Sequence, residues 1–263
     1  DAVLELTQKQ GYPIVFRVIA RAHEVLMSSG DGDKASPGQY RKQTVRVGYL
    51  VPPPTHKISD LMADLERYIN TDNSLAPLIK AGLAHVQFKT IHPFLDGNGR
   101  IGRLLIVLML IDAGLLNSPI IYPSYYFKKN HLAYYQYLDR VRTHGDFEGW
   151  IRFYLEAIKQ SSSDAYRRAL DIEQLEQDLK NLINSDEHFT TMQDKSTQAL
   201  SILFQQPVIS ATELAKRLEK SFNTANKIIS LFVKAHILEE INSQKRNRLF
   251  RFNKYLELLE KEY

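Results

Sequence analysis

The strongest constraint on this chain is a twelve-residue loop set between two helix-forming apolar segments. Residues 92–103 read His-Pro-Phe-Leu-Asp-Gly-Asn-Gly-Arg-Ile-Gly-Arg; an apolar segment ends at Ile91, and another runs from Leu104 to Ile111. A helix that begins near Asn98 would direct its unpaired N–H groups, and the positive end of its dipole, at the glycine turn. Such a turn binds anions. The pattern therefore predicts transfer of a phosphorus-bearing group.

Several residues of this loop suit contact with phosphate. Gly97 and Gly99 tolerate positive φ and let backbone amides approach phosphate oxygens closely. Arg100 and Arg103 stand three positions apart on one predicted helix face, where their guanidinium groups could make forked contacts. Asn98 could donate to a phosphate or hold the turn. These residues predict an anion cradle.

Two further residues supply chemistry at the edge of this cradle. Asp96 offers a hard oxygen ligand of the kind that magnesium uses beside a substrate phosphate. His92 carries an imidazole that can accept a hydroxyl proton near pH 7. Pro93 disfavours helical backbone at the residue before it, so His92 should stand outside the preceding helix.

The twelve residues resemble the signature of Fic-domain proteins, His-Pro-Phe-x-Asp-Gly-Asn-Gly-Arg-x-x-Arg, at every specified position. The resemblance implies adenylylation, in which AMP moves from ATP to a Ser, Thr or Tyr hydroxyl of a protein and pyrophosphate leaves. It implies that His92 is the general base, that Asp96 binds Mg²⁺, and that Arg103 lies on the γ-phosphate side. The implied nucleotide-binding residues of the loop are Asp96, Gly97, Asn98, Gly99, Arg100, Ile101, Gly102 and Arg103.

The resemblance extends upstream to a segment like the Fic flap, at about residues 40–54. Residues 37–41 read Pro-Gly-Gln-Tyr-Arg, residues 45–48 read Val-Arg-Val-Gly, and residues 51–54 read Val-Pro-Pro-Pro. Alternation and β propensity predict a short β-hairpin here. In the family this hairpin covers the nucleotide and pairs with the target segment, which implies nucleotide contact by Val45, Arg46, Val47 and Gly48. A surface hairpin without a role is the alternative.

Downstream, residues 134–138 and 145–150 resemble the end of a Fic core. Tyr134 and Tyr135 lie on a predicted helix and are candidates to line an adenine pocket, with Tyr134 preferred. Aromatic residues at helical spacing also pack in cores, so a structural role for either tyrosine stays open.

The chain as a whole is predicted to be mainly α: a Fic helical core with a short β-hairpin flap, followed by a winged helix-turn-helix domain. We expect a catalytic domain over residues 1–190 and the second domain over 191–263. Apolar periodicity predicts helices over 13–27, 58–70, 75–91, 98–113, 130–143 and 147–184.

The C-terminal segment differs from the rest in pattern and charge. Residues 196–263 hold eleven Lys and Arg against seven Asp and Glu, whereas the rest of the chain holds equal numbers. Helices over 196–206, from Ser210 and over 221–235, followed by strands over 237–241 and 248–252, resemble a winged helix-turn-helix. DNA contact is then expected at Lys227, Lys245, Arg246 and Arg248. Dimerisation or support of the catalytic domain is the alternative.

Composition limits the remaining choices. The chain has no cysteine, which excludes disulfides and thiol catalysis, and no apolar stretch long enough for a membrane span. No secretory signal is evident and the first residue is Asp1, so we expect a cytoplasmic protein whose true N-terminus lies upstream. Expected partners are ATP, a protein bearing a hydroxyl side chain, DNA and a second copy of the chain.

Regulation and the donor stay open at this point. Fic proteins often carry an inhibitory Ser/Thr-x-x-x-Glu-Gly/Asn motif, and this chain has no match; we hypothesise that the motif lies upstream of Asp1, or that a partner supplies the glutamate. A different donor such as UTP, phosphate transfer, removal of AMP, and a pocket that senses nucleotide without reacting are the alternative functions. An intact His92 favours catalysis over sensing, because a sensor needs no proton acceptor.

Overall fold

The computed structural model describes residues 13–28, 36–48, 50–71, 74–242 and 248–262. These divide into two units by their internal contacts, one ending at Ser163 and the other beginning at Asp164. The predicted domain boundary after residue 190 stays a prediction.

The first unit is built from helices. Their bounds are α1 Phe16–Ser28, α2 Ile58–Thr71, α3 Pro77–Ile91, α4 Asn98–Asp112, α5 Pro123–Lys129, α6 His131–His144 and α7 Phe147–Ser185. α7 continues into the second unit. The six helices predicted from periodicity are confirmed with ends shifted by a few residues, and α5 was not predicted.

Helices α3 and α4 form the centre of this unit because both are apolar on nearly every face. They pack against each other, while α2 and α6 pack on α3 and α1 packs on α4. Trp150, the single tryptophan of the chain, is fully buried and donates from Nε1 to the Gly82 carbonyl of α3 at 2.8 Å. A helix that is hydrophobic all round belongs inside a protein, which explains the central position of the pair.

At Gly82, side chains of α7 pack directly against the backbone of α3. A Cβ built on Gly82 would lie 2.7 Å from Cδ1 of the buried Tyr154. Close-packed interiors cannot absorb an added methyl group without shifting neighbours. Glycine at this position therefore sets how near the two helices can come.

Replacing Gly82 with Ala should lower the free energy of unfolding by about 1–3 kcal/mol, because the methyl group overpacks against Tyr154. Urea unfolding followed by Trp150 fluorescence measures the change within the first unit. Ser162→Ala, at an exposed site of α7, is the control and should leave stability within about 0.5 kcal/mol. An unchanged urea midpoint for Gly82→Ala would contradict this packing argument.

Among the described residues of the predicted flap, there is one antiparallel bridge rather than longer paired strands. Val47 donates to the Leu50 carbonyl at 2.9 Å, and Leu50 donates back to the Val47 carbonyl at 3.1 Å. Gly48 takes a φ of +60° in the turn between them, a conformation that favours glycine. Arg46 and Gly48 are exposed, and Val45 and Val47 are half-buried.

The second unit combines helices with a small antiparallel sheet. Besides the end of α7 its elements are α8 Gln193–Gln205, β1 Val208–Ser210, α9 Ala211–Leu218, α10 Phe222–Lys234, β2 Glu239–Glu240, β3 Leu249–Arg251 and α11 Asn253–Glu260. The strand order is β1-β3-β2, so β3 is the central strand. Its Phe250 lies opposite Ile209 of β1 on one side and Glu240 of β2 on the other.

Two serines start the helices that follow them in this unit. The Ser210 hydroxyl accepts from the Glu213 N–H at α9, and the Ser221 hydroxyl accepts from the Thr224 N–H at α10. Both hydroxyls cap the helix starts. The three helices and the strand pair predicted for this unit are confirmed. β1 and α11 were not predicted. Lys245 and Arg246 lie outside the described residues.

Within the described ranges, none of the helices combines the length and the apolar character that a bilayer crossing requires.

Candidate active site

His92 stands at the end of α3 in the left-handed region. Its φ is 50° and its ψ is 61°, and its N–H donates to the Phe88 carbonyl at 3.0 Å, which closes the helix. A non-glycine residue in this region costs energy and persists only where its surroundings hold it. The expectation that Pro93 places His92 outside the helix is confirmed.

The buried guanidinium of Arg41 holds His92 and the flap together. It donates to the carbonyls of His92 at 2.8 Å, Gln43 at 3.1 Å and Pro53 at 2.6 Å. The Arg41 N–H also donates to the Pro93 carbonyl at 2.8 Å. One side chain therefore fixes both ends of the flap to the residue that carries the imidazole.

Arg41→Met should lower the free energy of unfolding of the first unit by about 3 kcal/mol or more. The change removes three hydrogen bonds from a charged donor and leaves partly buried carbonyls without this donor. Urea unfolding followed by Trp150 fluorescence measures the loss, and Lys42→Met, at the exposed neighbouring position, is the matched control. Equal stability of the two variants would contradict the role given to Arg41.

His23 supports the Asp96–Gly97 turn from behind. Its Nε2–H donates to the Asp96 carbonyl at 3.0 Å, its Nδ1 accepts from the Gly38 N–H at 2.9 Å, and its ring stacks on Phe94 with centroids 3.9 Å apart. Gly97 has a φ of +76°, and a Cβ there would lie 3.1 Å from the His23 ring. The position requires glycine for both its conformation and its surroundings.

Asn98 holds the loop with its side chain. Its Oδ1 accepts from the Phe94 N–H at 2.9 Å, and its Nδ2 donates to the Phe94 carbonyl at 2.8 Å. Both polar ends of this buried amide are occupied, so the structure favours the turn-holding role over a side-chain contact with phosphate. Ile101 and Gly102 are also buried, and any part they play in a cradle is indirect.

The start of α4 faces the loop without a side-chain cap. Gly97 is the N-cap, and the first intrahelical bond runs from the Ile101 N–H to the Gly97 carbonyl at 3.0 Å. The N–H groups of Asn98, Gly99 and Arg100 precede that bond and have no acceptor within the helix. This is the arrangement that the sequence predicted for an anion site.

The two signature arginines lie at this helix start. Arg100 is half exposed, with its Nη2 3.3 Å from Met27 Sδ and 3.8 Å from Asp96 Oδ2. Arg103 donates from Nε to the Ser124 hydroxyl at 2.9 Å, while its Nη1 points toward Gly99. Both guanidinium groups keep donors available for a further acceptor.

The two candidate tyrosines of α6 differ in exposure. Tyr134 is 3% exposed, and its hydroxyl donates to His85 Nε2 at 2.9 Å, while His85 Nδ1–H donates to the Gly102 carbonyl at 2.6 Å. This chain of bonds ties α3 to α4 and α6. Tyr134 therefore has a structural position in the core, and the exposed Tyr135 beside it is the better placed of the two for contact with a base.

The surroundings of His92 keep its imidazole neutral. Burial, followed by the positive charges of Lys89 and Arg41, lowers the pKa of His92 to about 4. Its Nδ1 is buried without a hydrogen-bond partner among the described residues. At pH 7 the ring is an uncharged proton acceptor whose Nε2 is the nitrogen available to a hydroxyl.

Sequence reasoning missed Lys89, a buried cation in the last turn of α3. Burial, Arg103 and Arg142 lower its pKa to about 8. Arg142, from α6, donates to the Lys89 carbonyl and to the Thr90 hydroxyl, both at 3.2 Å. The available signal was a lysine in an otherwise apolar segment three positions before His92.

Acid should destabilise the first unit through its three buried histidines. Burial lowers the pKa of His23, lowers that of His85 to about 3 and lowers that of His92 to about 4. Below pH 6.5 the unfolded chain therefore binds more protons than the folded one. We expect the free energy of unfolding to fall between pH 6.5 and 4.5 by up to about 1.4 kcal/mol per pH unit for each of His85 and His92, with a further fall from His23.

Urea unfolding at a series of pH values, again followed by Trp150 fluorescence, tests this slope. The exposed His144 provides the control, because His144→Gln should leave the slope unchanged. His23→Gln should reduce it. A stability that is flat between pH 6.5 and 4.5 would contradict the burial of these rings.

Asp96 is the residue of this site that fits magnesium. Its carboxylate is 69% exposed, and its Oδ1 accepts a hydrogen bond from the Gly97 N–H at 2.6 Å. Mg²⁺ is commonly held by one or two carboxylates together with substrate phosphates and water. Across the described part of the chain, no three metal-ligating side chains form a group of their own.

Comparisons with known proteins agree with this geometry. A model of the Fic/DOC family matches residues 14–110. The protein adenylyltransferase Fic of Drosophila grimshawi is 34% identical over 154 residues, which are 58% of this chain and 30% of that relative. This chain thus spans less than a third of the length of that curated relative.

Two solved structures share the fold. A Fic family protein from Desulfovibrio desulfuricans G20 has a TM-score of 0.53 at 24% identity, covering 95% of this chain and 72% of that one; at this identity the likeness concerns the fold alone. Fic-1 (residues 134–508) from C. elegans has a TM-score of 0.51 at 25% identity, covering 66% of this chain and 50% of that one. The match of residues 14–110 to the family model identifies a Fic domain of the Fic/DOC family in that part of the chain.

Proposed function

We propose that the Fic domain is a protein adenylyltransferase, which moves AMP from ATP to a Ser, Thr or Tyr hydroxyl. The observation that carries this proposal is the neutral imidazole of His92 beside an uncapped helix start flanked by Arg100 and Arg103. The name of the Drosophila relative, protein adenylyltransferase Fic, supports the same activity.

The proposed reaction needs one proton acceptor and a cradle for charge. His92 Nε2 accepts the hydroxyl proton while the oxygen bonds to the α-phosphorus of ATP. The bond from that phosphorus to the bridging oxygen breaks, and pyrophosphate leaves with both electrons of the bond. The N–H groups at the α4 start, with Arg100 and Arg103, stabilise the negative charge on the phosphate oxygens.

The flap and Asp96 have supporting parts in this proposal. Asp96 would hold Mg²⁺ against the phosphates, where the ion neutralises charge on their oxygens. Residues 45–48 stay the predicted nucleotide contacts of the flap, whose main chain would pair with an extended target segment. Arg41 supports this part, because it ties the flap to His92.

His92→Ala should abolish AMP transfer while ATP still binds. A general base contributes roughly 10²–10⁴ in rate, and the variant keeps the cradle intact. Mass spectrometry of the protein after incubation with ATP and Mg²⁺ detects the AMP adduct, and calorimetry measures ATP binding. His144→Ala, an exposed histidine of α6, is the control and should transfer AMP like the unmodified protein.

The same assay separates the alternatives. Transfer at an unchanged rate by His92→Ala would refute the role of the base. An adduct formed from UTP but not from ATP would show that UTP is the donor. Nucleotide binding without any adduct, on this chain or on added proteins, would favour a pocket that senses nucleotide without reacting. Loss of AMP from a modified protein would indicate removal rather than addition.

DNA contact by the second unit is the second candidate function. We propose that this unit is a winged helix-turn-helix, because α9 and α10 are followed by the antiparallel pair β2–β3. Apart from the exposed Phe222 at its start, the exposed residues of α10 are polar or basic, among them Asn223, Asn226 and Lys227. Arg248, by contrast, is engaged by the Glu240 carboxylate, which reduces its availability to phosphate.

A gel shift with duplex DNA at low salt tests this second function. Lys227→Ala should weaken the shift if α10 contacts DNA, and the Lys245→Ala, Arg246→Ala double variant should do the same for the predicted wing. Lys254→Ala, at an exposed lysine of α11, is the control. Absence of any shift at low salt would contradict DNA contact and favour dimerisation or support of the Fic domain.

A further inference from the structure

Lys89 lies in a groove formed by two glycines of α4. A Cβ built on Gly102 would lie 3.4 Å from Lys89 Cδ, and one built on Gly99 would lie 3.8 Å from Lys89 Nζ. Gly99 and Gly102 stand three positions apart and so share one face of α4. The lysine stem therefore crosses this face, and its ammonium group lies at the first turn of α4.

The ammonium group is close to the second signature arginine. Arg103 Nη1 lies 3.3 Å from the same Cβ position on Gly99 that Lys89 Nζ approaches to 3.8 Å. Lys89 is 5% exposed, and among the described residues neither its amine nor Arg103 forms an ion pair with a carboxylate. Two cations, one of them buried, thus converge on a helix start that already favours negative charge.

We propose that Lys89 binds the β- or γ-phosphate of the donor nucleotide beside Arg103, and so selects triphosphates over monophosphates. This inference rests on the proposed function, since it assigns Lys89 to the donor of that reaction. A buried ammonium without a carboxylate partner is stabilised when a polyanion binds, because the two charges compensate each other away from water.

The proposal predicts that the affinity for ATP falls as the pH rises above 7. The titratable and charged groups that interact with Lys89 are His85 on α3, His92 just beyond its end, Arg103 on α4 and Arg142 on α6. Burial lowers the pKa of His85 to about 3 and that of His92 to about 4, so both rings are already uncharged at pH 7. Between pH 7 and 9.5 the group that titrates here is Lys89, with its pKa of about 8.

Calorimetry with α,β-methylene ATP, which cannot transfer AMP, and with AMP tests the proposal. For Lys89→Met we expect the Kd of the triphosphate to rise about 10–100-fold and that of AMP to change less than about twofold. Lys80→Met is the matched control, because Lys80 is also a buried lysine of α3 but lies over the Tyr68 ring. It should bind both nucleotides like the unmodified protein.

Titration of the unmodified protein keeps the test independent of how the variant folds. Its affinity for the triphosphate should fall about tenfold between pH 7 and 9.5, as Lys89 loses its proton, while its affinity for AMP stays constant. Lys89→Met should show no such fall. A flat profile for the unmodified protein would overturn the role of Lys89.

The remaining outcomes separate the two proposals. Equal triphosphate binding by Lys89→Met and the unmodified protein overturns the inference and leaves the proposed transfer standing. An equal loss of triphosphate and AMP binding overturns the assignment to the β- or γ-phosphate. Failure of the unmodified protein to bind the triphosphate at any pH overturns both the inference and the proposed function.

Discussion

The site depends on how the short loop between α3 and α4 satisfies its buried backbone. Two helices packed side by side leave their connection little access to water, and buried carbonyls need partners. Arg41 donates hydrogen bonds to the carbonyls of His92 and Pro93. Asn98 donates to the carbonyl of Phe94, and His23 donates to that of Asp96. The partners come from α1, the flap base and α4 itself, so the geometry of the imidazole depends on all three.

Residues 92–103 fall into two groups: those whose side chains stabilise the loop and those whose side chains remain accessible to a ligand. Pro93, Phe94 and Asn98 belong to the first group, because their polar or apolar groups are directed inward. His92 and Arg100 belong to the second, since part of each side chain remains accessible. The same twelve residues therefore encode a scaffold and a reactive surface.

Most helices of the chain could be predicted from sequence because their apolar residues recur with helical period and their ends carry recognisable signals. Gly114 has a φ of +70° just beyond Asp112, a left-handed conformation that is common where helices end. The short elements were missed: α5 has seven residues and β1 three, too few for periodicity to stand out. Pro123 and the lysines that close α5 were the available local signals.

The positions of site residues could be predicted where they depend on neighbours in sequence. They could not be predicted where they depend on packing against distant parts of the chain. The position of His92 follows from Pro93, a neighbour in sequence. The inward position of Tyr134 depends on His85, which is 49 residues away, and the burial of Lys89 depends on the glycines of another helix. Such contacts leave no mark in local spacing, so Tyr134 was preferred over Tyr135 and Lys89 was overlooked.

The groove that Gly99 and Gly102 form on α4 links the choice of amino acid at these two positions to that at position 89 of α3. A side chain at position 102 would meet Phe88, His85 and the stem of residue 89 within 3.4 Å, so it would displace a long residue from the groove. Natural sequences that carry a larger residue at 102 should then show a shorter or differently directed side chain at 89. Covariation between positions 89, 99 and 102 would be the evolutionary record of this packing.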